Sequence, residues 1–279
     1  MNVQKTIDWI TASTSQLREP GEVLPHAAWG KMEHGILHYQ CQKICSDSGA
    51  RFLWSPDVTG RGACIVLSGG ALLALRRFSQ LPPDKLLPHL SHLGFLATRI
   101  DFALDLYDPG ITIGDIYEQI MDGRITVPTR TVTRIQAHSG SATGETLYIG
   151  SRTSERYLRI YDKGVEQNSA PSGQWLRIEL EVKGKRAKLA FVDLLRYGES
   201  ACVANQLSSF ITTAPKWFID AICSEQTFPA SILSRPVPAR RKWLLGQVAS
   251  AIANEIREDP DFWETLAVVV NDDLSVKNV

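Results

Sequence analysis

No run of apolar residues in the sequence approaches the roughly 20 needed to cross a bilayer. The opening stretch, MNVQKTIDWITASTSQ, lacks the basic and apolar regions of a secretory leader. The chain therefore reads as cytoplasmic, with no membrane partner. Five cysteines, Cys41, Cys45, Cys64, Cys202 and Cys223, form no C-x-x-C pair, and the Cys41/Cys45 spacing has no matching second half. A structural zinc site is thereby excluded, and the thiols read as small reduced packing residues. None of His26, His34, His38, His89, His92 and His138 belongs to a His-hydrophobic-His metal motif, so they read as surface or satisfied core residues. GRGACIVLSGG has glycines but no phosphate-loop Lys-Ser/Thr, which excludes a nucleotide-driven helicase in this chain.

Charge of one sign is also missing: 30 Lys and Arg balance 30 Asp and Glu. A uniformly basic nucleic-acid coat is excluded, yet the charge is sorted along the chain. Residues 124–188 carry 12 basic against 6 acidic side chains, and residues 250–279 carry 2 against 7. A basic middle with an acidic tail suits a protein that grips a phosphate backbone with one region, as an alternative to ordinary solvated faces.

With 279 residues, 44% of them apolar and 22% charged, the chain has the make-up of a soluble globular protein of one or two domains. Short strands are expected within 36–68, broken by turn-formers at 46–49 and 60–62, and then a helix near 70–79. LPPDKLLPHL, where Pro88 limits a short helix, is read as a junction between two lobes. Beyond it the pattern predicts a strand at 97–107 and a helix near 112–122 ended by Gly123. Further strands are expected near 130–137, 145–150, 156–163 and 174–183. AKLAFVDLLRYG then gives an amphipathic helix with Leu189, Val192 and Leu195 as its buried stripe. From about 203 the chain reads as helices separated by a linker over 229–238. The expected class is α+β: antiparallel sheets in two lobes flanked by helices, with a helical C-terminal region. The corresponding boundaries are 1–83, 84–200 and 201–279.

Three of these strands are two-faced. In RIDFALDLYD, RYLRIYDKG and WLRIELEVK, period-2 alternation puts Asp101 with Asp105 on one face. It likewise groups Tyr157, Arg159, Tyr161 and Lys163, and Arg177, Glu179, Glu181 and Lys183. If the strands pair, an acidic cluster stands beside a tyrosine flanked by cations. Tyr157 and Tyr161 are about 13 Å apart along a strand, too far for both to serve one metal. Each residue also has a plain alternative. The tyrosines, Tyr148 included, can be packing residues, Asp105 can cap the following turn, and the glutamates can pair with Arg159, Arg177 or Lys183 across strands.

GETLYIGSRTSERYLRIYDKG, read with RIDFALD before it and LRIELEVKGKRAKLA after it, resembles the trans-acting rolling-circle replication initiators of plasmids and filamentous phages and the related relaxases. The resemblance covers roughly residues 35–200 and rests on the order and spacing of the motifs. It implies an enzyme that nicks and rejoins one DNA strand, with Tyr161 as nucleophile and Asp101, Glu179 and Glu181 as the acidic residues. Asp105 is a fourth candidate.

Attack by tyrosine leaves a 5′-phosphotyrosine and a free 3′-hydroxyl, so the bond is conserved and the strand can be resealed. Phenol ionises near pH 10, and Arg159 and Lys163 are expected to favour the phenolate. A divalent ion on oxygen ligands, magnesium or manganese, would polarise the phosphate. Arg130, Arg134, Arg152, Arg156, Lys185, Arg186 and Lys188 are candidates for tracking the DNA backbone. The origin would have to be melted or extruded, with supercoiling or a recruited host helicase supplying the unwinding. A second strand transfer would draw on a homodimer. Two rivals stand beside this reading. One is a metal-dependent nuclease that cuts with water, suggested by Glu181-Val182-Lys183 downstream of Asp101. The other is a non-catalytic origin-binding protein.

Overall fold

A computed structural model describes residues 2–223 apart from 57, 59, 79–82, 140–141 and 168–172. The elements in order are β1 (Asn2–Thr14), α1 (Pro20–Val23), β2 (Glu33–His34), β3 (Cys41–Ile44), β4 (Arg51–Trp54), β5 (Ala63–Ser68), α2 (Gly69–Phe78), α3 (Pro83–His92) and β6 (Leu96–Tyr107). There follow α4 (Ile113–Met121), β7 (Val132–Ser139), β8 (Ala142–Ile149), β9 (Arg156–Asp162), α5 (Lys163–Glu166), β10 (Trp175–Lys183), α6 (Gly184–Tyr197), α7 (Glu199–Phe210) and α8 (Lys216–Ile222). The linker expected over 229–238 and the helices beyond it lie outside the described residues.

All ten strands form one antiparallel sheet in the order β2-β3-β4-β5-β1-β6-β10-β9-β8-β7. The α+β class holds, and the two expected sets of strands are joined edge to edge through β1 and β6. Of the stretch expected as a junction, Pro83–His92 forms α3, and Pro88 sits within that helix without ending it. Position 201, the expected start of a C-terminal region, falls inside α7, whose helix packs on β1 and β6.

Local sequence explains most boundaries. Thr112 accepts from the Asp115 backbone N–H and the Asp115 carboxylate accepts from the Thr112 backbone, a capping box that starts α4. Gly123, at φ +80°, takes the chain out of that helix. Gly62 has φ +59°, and a Cβ there would lie 2.1 Å from the Thr14 carbonyl oxygen, so no larger residue fits where β5 approaches the end of β1.

One face of the sheet is covered by helices, and the main core lies between them, with Ile10, Ile65, Phe102, Leu158 and Leu180 among the sheet residues. In α6 the buried residues are Ala187, Ala190, Phe191 and Leu194, while Leu189 is 50% and Val192 39% exposed. The expected Leu189/Val192/Leu195 stripe is therefore out of phase. The small alanines let α6 lie close to β6, and Phe191 supplies the volume. Two other departures concern the first 44 residues. The expected strand over 36–42 begins only at Cys41, because Leu37 and His38 take left-handed backbone conformations, φ +52° and +65°, in a turn. The longest strand of the sheet, β1, was not expected at all.

Candidate active site

The face opposite the helices holds the polar sides of β6, β9 and β10. Directly paired residues of an antiparallel sheet share a face, so register lays the side chains out in rows. One row reads Tyr157, Glu181, Asp101 and Trp9; the next reads Tyr148, Arg159, Glu179, Ala103 and Thr6; a third reads Thr146, Tyr161, Arg177, Asp105 and Gln4. Ala103, small and fully buried in the middle row, leaves room for the longer side chains on either side. They line a cleft of about 450 Å³ that includes Tyr161, Asp101, Glu179, Arg159, Asp8 and Trp9.

The structure brings Asp101, Glu179 and Glu181 together around Arg99 and Arg159. Arg99 donates to both oxygens of Asp101, at 2.8 and 2.6 Å, and stands 2.8 Å from Glu181 Oε2. Lys183 Nζ is 2.7 Å from Glu181 Oε1. Arg159 pairs closely with Glu179 Oε1 and lies 3.9 Å from Asp101 Oδ2. The Tyr161 hydroxyl donates to Glu179 Oε2 at 2.8 Å.

Asp105 stands apart from this trio. Arg177 donates to both its oxygens at 2.7 Å, Trp175 Nε1 donates at 2.9 Å, and the same guanidinium reaches Asp8 Oδ1 at 2.5 Å. Burial works against the charge on Arg177, yet Asp105 and then Asp8 hold its ionisation above the ordinary arginine value. Asp105 is thus a structural partner of Arg177 and does not join the other carboxylates.

Electrostatics around Tyr161 run against the expected phenolate. Burial, and after it the charge of Glu179, raise the phenol above its ordinary value, and Arg177 opposes this only in part. Arg159 is spent on Glu179. Lys163 opens α5 with its Nζ 5.5 Å from the Tyr161 ring centroid, and it pairs with Glu166. At rest Tyr161 is a phenol hydrogen-bonded to a carboxylate. Asp101 is pushed up to about 7, first by burial, then against Arg99 by the charges of Glu179 and Glu181.

For a divalent ion the test is mixed. Three oxygen-bearing carboxylates, one of them raised by its acidic neighbours, match a hard cation in chemistry. In the present arrangement each is turned to a guanidinium or an ammonium. Among the described residues no three His, Cys, Asp or Glu side chains are placed as a metal site.

The basic candidates separate by face. Arg152 is exposed at the rim of the cleft, its Cζ 5.9 Å from the Tyr148 ring centroid and 6.0 Å from that of Tyr157. Lys185 and Lys188 are exposed in α6, and Arg186 stands 3.6 Å from Glu155. Arg130 is exposed in the loop before β7. Arg134 and Arg156 pair with Leu147 and Val182, so both project to the helix-covered side, away from Tyr161. There Arg134 meets Glu145 and the Tyr117 ring of α4, and Arg156 donates to the Ser209 carbonyl of α7 at 3.1 Å and lies over Phe210. Burial lowers the Arg156 value. Arg156 thus ties β9 to α7, while Arg134, over the Tyr117 ring, remains exposed.

Asp8 and Trp9 were missed by pattern reading. The β1–β6 register slips between Ile7 and Trp9, and this bulge turns both Asp8 and Trp9 into the cleft, where Arg99 lies 5.0 Å over the Trp9 ring. The signal was available as a phase change: Ile7, Ile10 and Ala12 face the core, so the alternation skips a step at positions 8 and 9.

Comparison with known proteins bears on the fold and the family. The replication initiation factor family matches residues 96–218, the segment from β6 to α8 that holds Tyr161 and its acidic neighbours. The protein NicK of Bacillus subtilis (strain 168), named as a DNA relaxase, is 29% identical over 119 residues, 39% of this chain. The match spans only 34% of that protein. The structure of a rolling circle replication initiator protein from Geobacillus stearothermophilus superposes with a TM-score of 0.69 at 17% identity, over 79% of this chain and 96% of that one. At that identity the likeness is one of fold.

Proposed function

We propose, from the match of residues 96–218 to the replication initiation factor family, that this chain nicks one strand of DNA at a replication origin and later reseals it, with Tyr161 as nucleophile. The observation that carries the reading is the hydrogen bond from the Tyr161 hydroxyl to Glu179 in an open cleft. Because the phenol is held protonated, attack requires a proton acceptor, and Glu179 Oε2 is already in place for that transfer. The Tyr161 oxygen forms a bond to the scissile phosphorus as the 3′-oxygen leaves, giving a 5′-phosphotyrosine and a free 3′-hydroxyl. Attack by that hydroxyl on the phosphotyrosine reverses the step.

Arg159 fits the scissile phosphate. Its Nη2 holds Glu179, while its buried Nε has no partner among the described residues, leaving a donor beside the reacting hydroxyl. Asp101, Glu179 and Glu181 would hold a magnesium or manganese ion, which when bound would polarise the phosphate and offset developing charge. A host helicase for unwinding and a second protomer for the terminating transfer complete the proposal.

The test is incubation of the full chain with labelled single-stranded DNA from candidate origins in magnesium or manganese, followed by mapping of the adducted peptide. A covalent adduct on Tyr161 is expected. Undiminished cutting by Tyr161→Phe would favour water as the nucleophile, and binding without cleavage would favour an origin-binding protein.

A further inference from the structure

Beside the reacting tyrosine lies a second aromatic arrangement that the nicking chemistry does not use. Tyr148 of β8 and Tyr157 of β9 stack with ring centroids 6.0 Å apart and an interplanar angle of 13°. The Arg152 guanidinium is set over both rings from the loop between their strands. That loop is tied down: Ser154 Oγ donates to the Ser151 carbonyl at 2.6 Å, Gly150 N–H to Thr131 at 2.9 Å, and Lys183 Nζ bonds to the Arg152 carbonyl.

The two rings differ in burial. Tyr157 is only 6% exposed and serves as the floor, whereas Tyr148 is half-exposed and lines the cleft. The outward neighbour of Tyr148, across the β7 pairing, is the small exposed Thr133, so no bulky side chain of that strand stands against it. An aromatic floor, an open second ring and a planar cation are the elements from which unpaired bases are held.

We propose that Tyr148, Tyr157 and Arg152 form a stacking subsite for one unpaired nucleobase of the DNA strand. Its placement rests on the nicking reading. Tyr148 is on the strand next to Tyr161 and two residues further along, because Thr146 pairs with Tyr161. Two residues of rise and one strand spacing put the Cα atoms about 8 Å apart. That is the reach of a single nucleotide, so the stacked base belongs to a nucleotide flanking the scissile phosphate. Stacking of this kind is tolerant of sequence, which lets the subsite fix the register of the phosphate while other contacts read the origin.

The experiment titrates the full chain into a five-nucleotide thymidine oligomer with 2-aminopurine at its centre, following fluorescence, and repeats the titration with an abasic centre. Stacking predicts quenching on binding and a loss of about tenfold in affinity for the abasic oligomer. Tyr148→Leu should lose both effects and Tyr148→Phe should keep both. Arg152→Gln, a change at an exposed residue, should weaken the aminopurine oligomer while reducing the abasic penalty. Equal affinity for the two oligomers in the wild type, or quenching that survives both Tyr148→Leu and Arg152→Gln, would overturn the subsite. The Tyr161 adduct is scored separately, so a failed subsite with an intact adduct and an intact subsite without an adduct are distinct results.

Discussion

The two halves of the sheet have the same plan and opposite chemistry. Outward from the central β1–β6 pair, one half runs β5, β4, β3, β2 and the other β10, β9, β8, β7. In each, a long first strand pairs with the last strand of its own meander, and a helix follows. On the open face of the second half stand Asp101, Glu179, Glu181, Arg159 and Tyr161. On the same face of the first half, Leu53, Cys64 and Val66 are buried beneath Trp9 and Tyr39. Backbone pairing alone therefore says where a side chain points and nothing of what it does. The first half contributes rigidity and a wall, and it reaches the chemistry only through the bulge that delivers Asp8 and Trp9.

The contrast can be broken most severely at Tyr161, the proposed nucleophile. Tyr161→Phe should abolish the covalent DNA adduct and lower nicking by at least about 10³-fold, measured on a labelled single strand. Placing charge in the apolar half comes next. Leu53→Asp, at a fully buried site paired with Cys64 and Gln42, should cost at least about 4 kcal/mol in denaturant unfolding. The reverse change in the charged half is milder. Arg177→Met leaves Asp105 and Asp8 without their shared cation and should cost about 3 kcal/mol by the same measurement.

The smallest effect is one of pH. Asp101, with Arg99 and Arg159 on one side and Glu179 and Glu181 on the other, has a folded value raised from 3.8 to about 7. The folded chain then binds more protons than the unfolded chain between these values, so this group's contribution to stability is present below about pH 4 and is lost as the pH rises through about 7. Asp101→Asn should flatten that slope in unfolding curves recorded in metal-free buffer.

Much of the second half was legible because its strands alternate strictly and its helix α4 carries a capping box. Counting puts Glu179 with Glu181, Asp101 with Asp105, and Tyr161 with Arg159, each pair on one face of its own strand. What counting cannot supply is pairing between partners: that Asp105 belongs to Arg177, or that Glu179 accepts a hydrogen bond from Tyr161, depends on register between strands. Arg134 and Arg156 were singled out because they are basic, and strand parity, which the sequence does not reveal, puts them on the helix-covered side. β1 escaped notice because its alternation is interrupted at Asp8, the same irregularity that makes it useful.

The central position of β1 has a consequence for how the molecule is made. Residues 2–14 pair with residues 96–107, about a hundred positions later, and this pairing joins the two halves. Once synthesised, β1 must wait for β6 before one of its two flanks is covered, and until then a long unpaired edge is exposed. An excised fragment of residues 96–218 would carry the reactive tyrosine with one whole side of β6 left open. Such a piece would be prone to self-association, so the family-matched segment leans for its folding on the half of the sheet that lies outside the match.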